Sequence, residues 1–148
     1  MKKDEKMNEK SLLNKYLLAN NLRQTPERYI VLKYIYKINT HFDIDYLYEF
    51  ISKKEKISKA TIYNNLEIFT KAKLIKQLHF NNNKILYEKA LNKKQHDHLI
   101  CNNCGKINEF CDPRIKNILD GIEKTTNFNV KNHSLYIYGE CNNKNCKS

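Results

Sequence analysis

Residues 58–88 read "SKATIYNNLEIFTKAKLIKQLHFNNNKILYE", and within this one stretch the spacing of apolar residues changes. Ile62, Leu66 and Phe69 recur at helical intervals behind Ser58, whose hydroxyl can cap a helix start. Beyond them "KQLHF" and "KILYE" alternate with a period of two around "NNN", whose asparagines tolerate the positive φ of a tight turn. A helix that runs into a β-hairpin is the closing half of a winged helix-turn-helix.

Toward the N-terminus the pattern stays helical. In "DIDYLYEFISK" (43–53), Ile44, Leu47, Tyr48 and Ile51 share one face behind Asp43 as the cap. This is the expected support helix, 44–53, with 59–72 as the recognition helix. "TPERYIVLKYIYKI" opens on Thr25 as N-cap with Pro26 at the first helical position. "SLLNKYLLANN" (11–21) is a shorter amphipathic helix.

Toward the C-terminus, "ALNKKQ" (90–95) is polar and aperiodic and reads as a hinge. After it, "HLIC" and "KINEF" flank a C-x-x-C-G turn as a second hairpin. "PRIKNILDGIEKTTN" is a helix from Pro113, and "FNVKNHSLYIYGEC" alternates like a half-buried strand. The expected fold is α+β: a winged-helix domain (1–89), the hinge (90–95) and a small α+β unit (96–148).

The 148 residues suffice for one domain or two small ones. The net charge of +11 points to a polyanion, most plainly nucleic acid. Over-use of Lys, Asn, Ile and Tyr with no Trp also fits codon drift, so the distribution of charge says more than its total. Residues 1–90 carry 18 basic and 10 acidic side chains, and residues 91–148 carry 9 and 6. The first part is therefore the nucleic-acid candidate. The opening "MKKDEKMNEKSLLNKYLL" is charged throughout, unlike a signal peptide, and no run nears the roughly 18 apolar residues of a membrane span. A cytoplasmic protein is expected, and five cysteines there favour metal binding or catalysis over disulfides.

Cys101 and Cys104 form C-x2-C at a hairpin turn with Gly105; Cys141 and Cys146 form C-x4-C near the end of the chain. Two close pairs suit tetrahedral Zn(2+) with no open position. The rival, a redox C-x-x-C, belongs at the start of a helix after a strand, which this pair is not. Cys111 is left over and is expected to be a small buried apolar residue.

A second donor set mixes nitrogen and oxygen. His96 and His98 point the same way on an extended strand. His41 lies at the cap of the third helix, Glu88 ends the wing, and Glu109 sits on the strand opposite 98–101. Such ligands suit Fe(2+), Mn(2+), Co(2+) or Zn(2+). Spacing leaves open whether residues so far apart meet.

"HDHLICNNCGKINEF" (96–110), "NHSLYIYGEC" and the closing C-x4-C resemble the ferric uptake regulator family, with "LRQTPERYIVL", "HFDIDYLYEF", "ATIYNNLEIF" and "KILYE" in family order. The resemblance implies a metal-responsive transcriptional repressor that binds double-stranded DNA as a homodimer, with a C-terminal dimerisation domain. Position by position it implies structural zinc on Cys101, Cys104, Cys141 and Cys146. It implies a domain-bridging regulatory metal on His41, Glu88, His96, His98 and Glu109. Asp97 and His133 match two ligands of a third family site, but Gln95 stands where a His is usual and Lys116 where a Glu is usual. A lysine there repels a cation, so weak binding is expected. Peroxide-sensing members carry Asp at the positions of Glu88 and Glu109, and zinc-uptake regulators commonly have a further Cys before the C-x-x-C. Neither feature is present, which favours iron, with Mn(2+), Co(2+) or Zn(2+) able to take its place.

On the recognition helix, Lys59, Ala60, Tyr63 and Asn64 face away from the core side. Tyr63 matches a family tyrosine that touches thymine methyls, a standard mode of readout, while Asn64 replaces a common Arg. Arg23 and Arg28 flank the second helix start, where the family approaches the minor groove or phosphates. Lys71, Lys73 and Lys84 are expected on the DNA backbone. Pairing of dimers on DNA is left open. A zinc-ribbon module for RNA or protein is the rival from another class and predicts no labile second metal. A zinc deaminase would need H-x-E before P-C-x-x-C, which "HDH…CNNC" does not supply.

Overall fold

The structure is a computed structural model that describes residues 8–80, 83–142 and 146. The chain divides into two compact units, Met1–Lys93 and Lys94–Ser148.

The first unit has four helices and a two-stranded wing: α1 (Glu9–Ala19), α2 (Pro26–Lys37), α3 (Ile44–Ser52), α4 (Lys59–Lys71), β1 (Ile75–His79) and β2 (Ile85–Lys89). Three starts follow from local signals, two of them side-chain caps. The Asp43 carboxylate accepts from the Tyr46 N–H at 2.8 Å, the Ser58 hydroxyl accepts from the Thr61 N–H at 3.1 Å, and Pro26 opens α2 behind Thr25. Helix α1 begins before the expected Ser11, because the Asn8 side chain caps it and accepts the Ser11 N–H at 2.8 Å. Asn21 and Lys73 take left-handed conformations where α1 and α4 end.

Leu13, Leu17, Val31, Ile35, Leu47, Ile51, Ile62, Leu66 and Phe69 interlock from all four helices, and Leu74 and Ile75 extend the core into the wing. Tyr48, expected on the buried face of α3, is exposed; Phe50 fills that role, packed edge-on against Tyr34 at 5.4 Å between ring centres. The wing pairs antiparallel from Ile75↔Lys89 to His79↔Ile85. Asn83 has the positive φ expected of the turn; residues 81 and 82 lie outside the described set.

One long-range bond pair positions chemistry. Phe42 and Tyr87 exchange backbone hydrogen bonds of 3.1 and 2.8 Å, joining the α2–α3 link to β2. His41 is thereby set beside Glu88.

The second unit has β3 (Asp97–Cys101), β4 (Ile107–Phe110), α5 (Pro113–Thr126) and β5 (Tyr136–Gly139), with sheet order β4-β3-β5. The β3–β4 hairpin turns through Gly105 at φ 71°, and His98 faces Glu109 in register. Asp112 caps α5 and Asn127 ends it in the left-handed region. The strand expected over 128–141 is realised only at Tyr136–Gly139, because it runs parallel to β3 and can pair along that strand's length alone. Residues 128–135 form the return path from α5, tied to it where the Val130 N–H donates to the Glu123 carboxylate at 2.7 Å. Helix α5 buries no residue; Ile118, Ile122 and Phe128, with Leu99 and Ile137 of the sheet, stand exposed. Among the described residues no helix is long and apolar enough to cross a membrane.

Candidate metal centres and nucleic-acid face

Sheet pairing assembles the thiol cluster. Cys101 ends β3 beside Gly139 of β5, so the chain after β5 returns Cys141 to the hairpin knuckle. The Sγ atoms of Cys101 and Cys146 are 3.5 Å apart, those of Cys104 and Cys141 are 3.8 Å apart, and all four lie within 4.8 Å of one another. These are no disulfides. Zn–S bonds of ~2.3 Å in a tetrahedron give S···S edges of about 3.8 Å, so the cluster has the dimensions of a zinc cage. Its electrostatics agree. The N–H of Cys104, with help from Cys141 and Asn103, lowers the Cys101 thiol to about 6, while hydrogen bonds to Cys101 and Cys104 push Cys146 up to about 12. One thiolate forms readily; gathering four needs a cation.

Cys111 departs from expectation. It is exposed, because β4 ends at Phe110, Asp112 already caps α5, and no core lies beneath that helix to receive it.

The mixed-donor residues form two sets, one in each unit. In the first, His41 Nε2 lies 3.1 Å from Glu88 Oε2, and the Glu88 side chain is 3% exposed. In the second, His96 Nε2 lies 3.6 Å from Glu109 Oε1, and the His96 and His98 rings are 4.9 Å apart. His96 Nδ1 donates to the Lys94 carbonyl at 2.8 Å, a bond that fixes the orientation of the ring. A buried carboxylate against an imidazole, and a second imidazole pair against another carboxylate, are both chemically suited to a divalent ion.

Asp97 and His133 do meet. His133 Nε2 is 3.0 Å from Asp97 Oδ1 and 3.2 Å from Oδ2, with hydrogen-bond geometry only to the latter. Gln95 uses its amide to donate to the His133 carbonyl at 3.1 Å. Lys116 lines the adjoining cavity of about 480 Å³ together with Cys111. Among the described residues no third His, Cys or carboxylate joins this pair in a metal-sized cluster.

On α4, Lys59, Ala60, Tyr63 and Asn64 are all exposed, Tyr63 at 58%. Lys59 is ion-paired with Asp45 of α3, and the Arg28 guanidinium donates to the Arg23 carbonyl. Lys71 pairs with Glu67 one turn back, and Lys84 lies 3.9 Å from Asp43. Two features had no sequence signal. Asn65 is buried on α4, its amide donating to the Thr61 carbonyl at 2.9 Å. Lys93, inside the polar stretch 90–95, reaches Glu88.

The "Ferric uptake regulator family" model matches residues 19–138. The chain is 35% identical over 132 residues to the peroxide-responsive repressor PerR of Staphylococcus saprophyticus, covering 88% of this chain and 86% of that one. It is 35% identical over 139 residues to the ferric uptake regulation protein of Campylobacter jejuni, covering 90% and 88%. The solved ferric uptake regulator of Helicobacter pylori, for which three functional metal binding sites are described, superposes with a TM-score of 0.78 at 29% identity. That match covers 96% of this chain and 95% of the other.

Proposed function

This chain belongs to the ferric uptake regulator family and is a metal-dependent transcriptional regulator, and from that premise we propose that it is an iron-dependent repressor acting in the cytoplasm as a homodimer on AT-rich palindromic operators. The observation that carries the reading is the division of its nitrogen and oxygen donors. His41 and Glu88 ride on the winged head; His96, His98 and Glu109 ride on the second unit.

In the proposed mechanism Cys101, Cys104, Cys141 and Cys146 would hold structural zinc, which would close the second unit. Fe(2+), if bound, would supply a doubly charged centre for these nitrogen and oxygen donors to share. His41 and Glu88 of the head, with His96, His98 and Glu109 of the second unit, would hold it and so link the two. The stretch 90–95 then loses freedom, and head orientations that suit DNA gain population. Tyr63 and Asn64 face base edges of the major groove, Lys59 neutralises phosphate, and Arg23 and Arg28 lie along the backbone or minor groove. Two heads then enter grooves ~34 Å apart. The apolar residues left exposed on α5 and the sheet support a homodimer, since a monomer would leave Ile118 and Phe128 in water.

A second reading, a peroxide-responsive repressor, is favoured by the likeness to the Staphylococcus protein. Glu at both 88 and 109 favours iron sensing. One anaerobic experiment separates the two. Operator binding is measured with Fe(2+) and with Mn(2+), before and after peroxide, and the His96–His98 peptide is weighed. Iron-dependent binding that survives peroxide supports the first reading. Loss of binding with one oxygen atom added to that peptide supports the second. Binding indifferent to any added metal rejects both.

A further inference from the structure

Glu88 meets a histidine and a lysine inside the first unit. Its Oε2 lies 3.1 Å from His41 Nε2 and also 3.1 Å from Lys93 Nζ; the carboxylate is 3% exposed and the lysine side chain 36%. The turn that follows β2 aims this lysine. The Ala90 N–H is held by the Leu74 carbonyl at 3.0 Å, Asn92 takes φ 62°, and the Lys93 N–H closes onto the Ala90 carbonyl at 3.4 Å. The side chain is thus turned back onto the strand it has just left.

An ionised carboxylate so far from water needs a cation against it, and a buried charge left unpaired is strongly destabilising. Lys93 provides one in the chain itself. We propose, resting on the reading of Glu88 as a regulatory ligand, that Lys93 is a built-in competitor for the regulatory ion. Its ammonium neutralises Glu88 in the metal-free protein and must withdraw before a divalent cation can take Oε2. Two cations on one carboxylate oxygen repel each other, so occupation by one excludes the other. Lys93 therefore raises the metal concentration at which the switch responds. In the metal-free form it also keeps the first residues after β2 folded against the head.

The test is titration of Mn(2+) alone into the full zinc-loaded chain, followed calorimetrically, for the wild type and for Lys93→Met, Lys93→Arg and Glu88→Gln. Lys93→Met is expected to bind Mn(2+) at least about fivefold more tightly, the lower end of common coupling between two ligands. Lys93→Arg keeps the charge and is expected to bind no more tightly than the wild type. Damage to the fold would weaken binding, so the expected gain is not mimicked by a defect; Lys93→Gln serves if Lys93→Met does not fold. Unchanged or weaker binding in the neutral variants, with Glu88→Gln impaired, overturns the competitor and leaves the regulatory site standing. Unchanged binding in Glu88→Gln overturns the assignment of Glu88 and the competitor with it.

Discussion

The two units of this chain are stabilised in opposite ways. Every buried apolar side chain in the described structure except Cys101 lies in the first unit. There, Leu13, Leu17, Ile35, Leu47, Ile62, Leu66 and Phe69 are shielded from all four helices, each worth about 1.5–3 kcal/mol when fully buried. In the second unit the buried residues are Asp97, His98 and Cys101, all carrying donor atoms, and α5 buries nothing. A head with a core of its own can keep its shape whatever is bound. A unit whose interior is polar depends on what it holds.

The sharpest way to break this contrast is to remove a thiolate. Cys101→Ser or Cys141→Ser is expected to unfold the second unit and abolish the dimer while the head keeps its helices. Structural zinc contributes roughly 10–16 kcal/mol of folding free energy in small zinc domains. Sedimentation and zinc analysis check it; an intact zinc-free dimer would refute the zinc-held picture. The reciprocal change is Phe69→Ala. It should cost about 3–5 kcal/mol in the head alone, read as early loss of helical circular dichroism while the zinc-loaded dimer persists. Joint melting of both units would show that they are not independent.

A milder change addresses the switch. His98→Ala is expected to keep zinc and dimer yet lose operator binding at metal levels that saturate the wild type, since losing a bridging ligand reduces the metal's preference for one state over the other. Tyr63→Ala should bind metal normally and lose preference for operator over random DNA, by about 1–3 kcal/mol. Metal stoichiometry and operator affinity on both variants separate the two roles. The smallest effect is expected at His133→Ala. Its partner set is reduced to Asp97, with Lys116 on the adjoining cavity wall, so operator affinity should shift less than about twofold. A large metal-dependent loss would mean that the third site works after all.

Local signals were legible because they act over a few residues. Thr25–Pro26, Asp43 and Ser58 marked three helix starts, and the change of period after Phe69 marked the wing. The spacing of the four cysteines pointed to one cluster, and their Sγ atoms lie within 4.8 Å of one another. What escaped was set by pairing across the chain. The Phe42–Tyr87 bridge that brings His41 to Glu88 leaves no trace in periodicity. The length of β5 is limited by β3, so the alternation in 128–135 overstates the strand. Cys111 looked buried by type and Tyr48 by spacing, yet both are exposed, and Phe50 packs on the core where Tyr48 was expected. Lys93 was one of two lysines in a polar run, and only the turn at Asn92 singles it out.

The wing strand β2 has a mechanical consequence. Glu88 lies at one end, pinned through the Phe42–Tyr87 bonds, and Asn83 at the tip of the turn lies at the other. Five residues of extended chain span about 17 Å, so a tilt of about 10° at the Glu88 end sweeps the tip through about 3 Å. That is the length of a hydrogen bond. The strand is a lever pivoted beside Glu88, and a displacement there too small to repack the core is magnified at the far end; on the proposed function that is enough to make or miss a phosphate contact at Lys84.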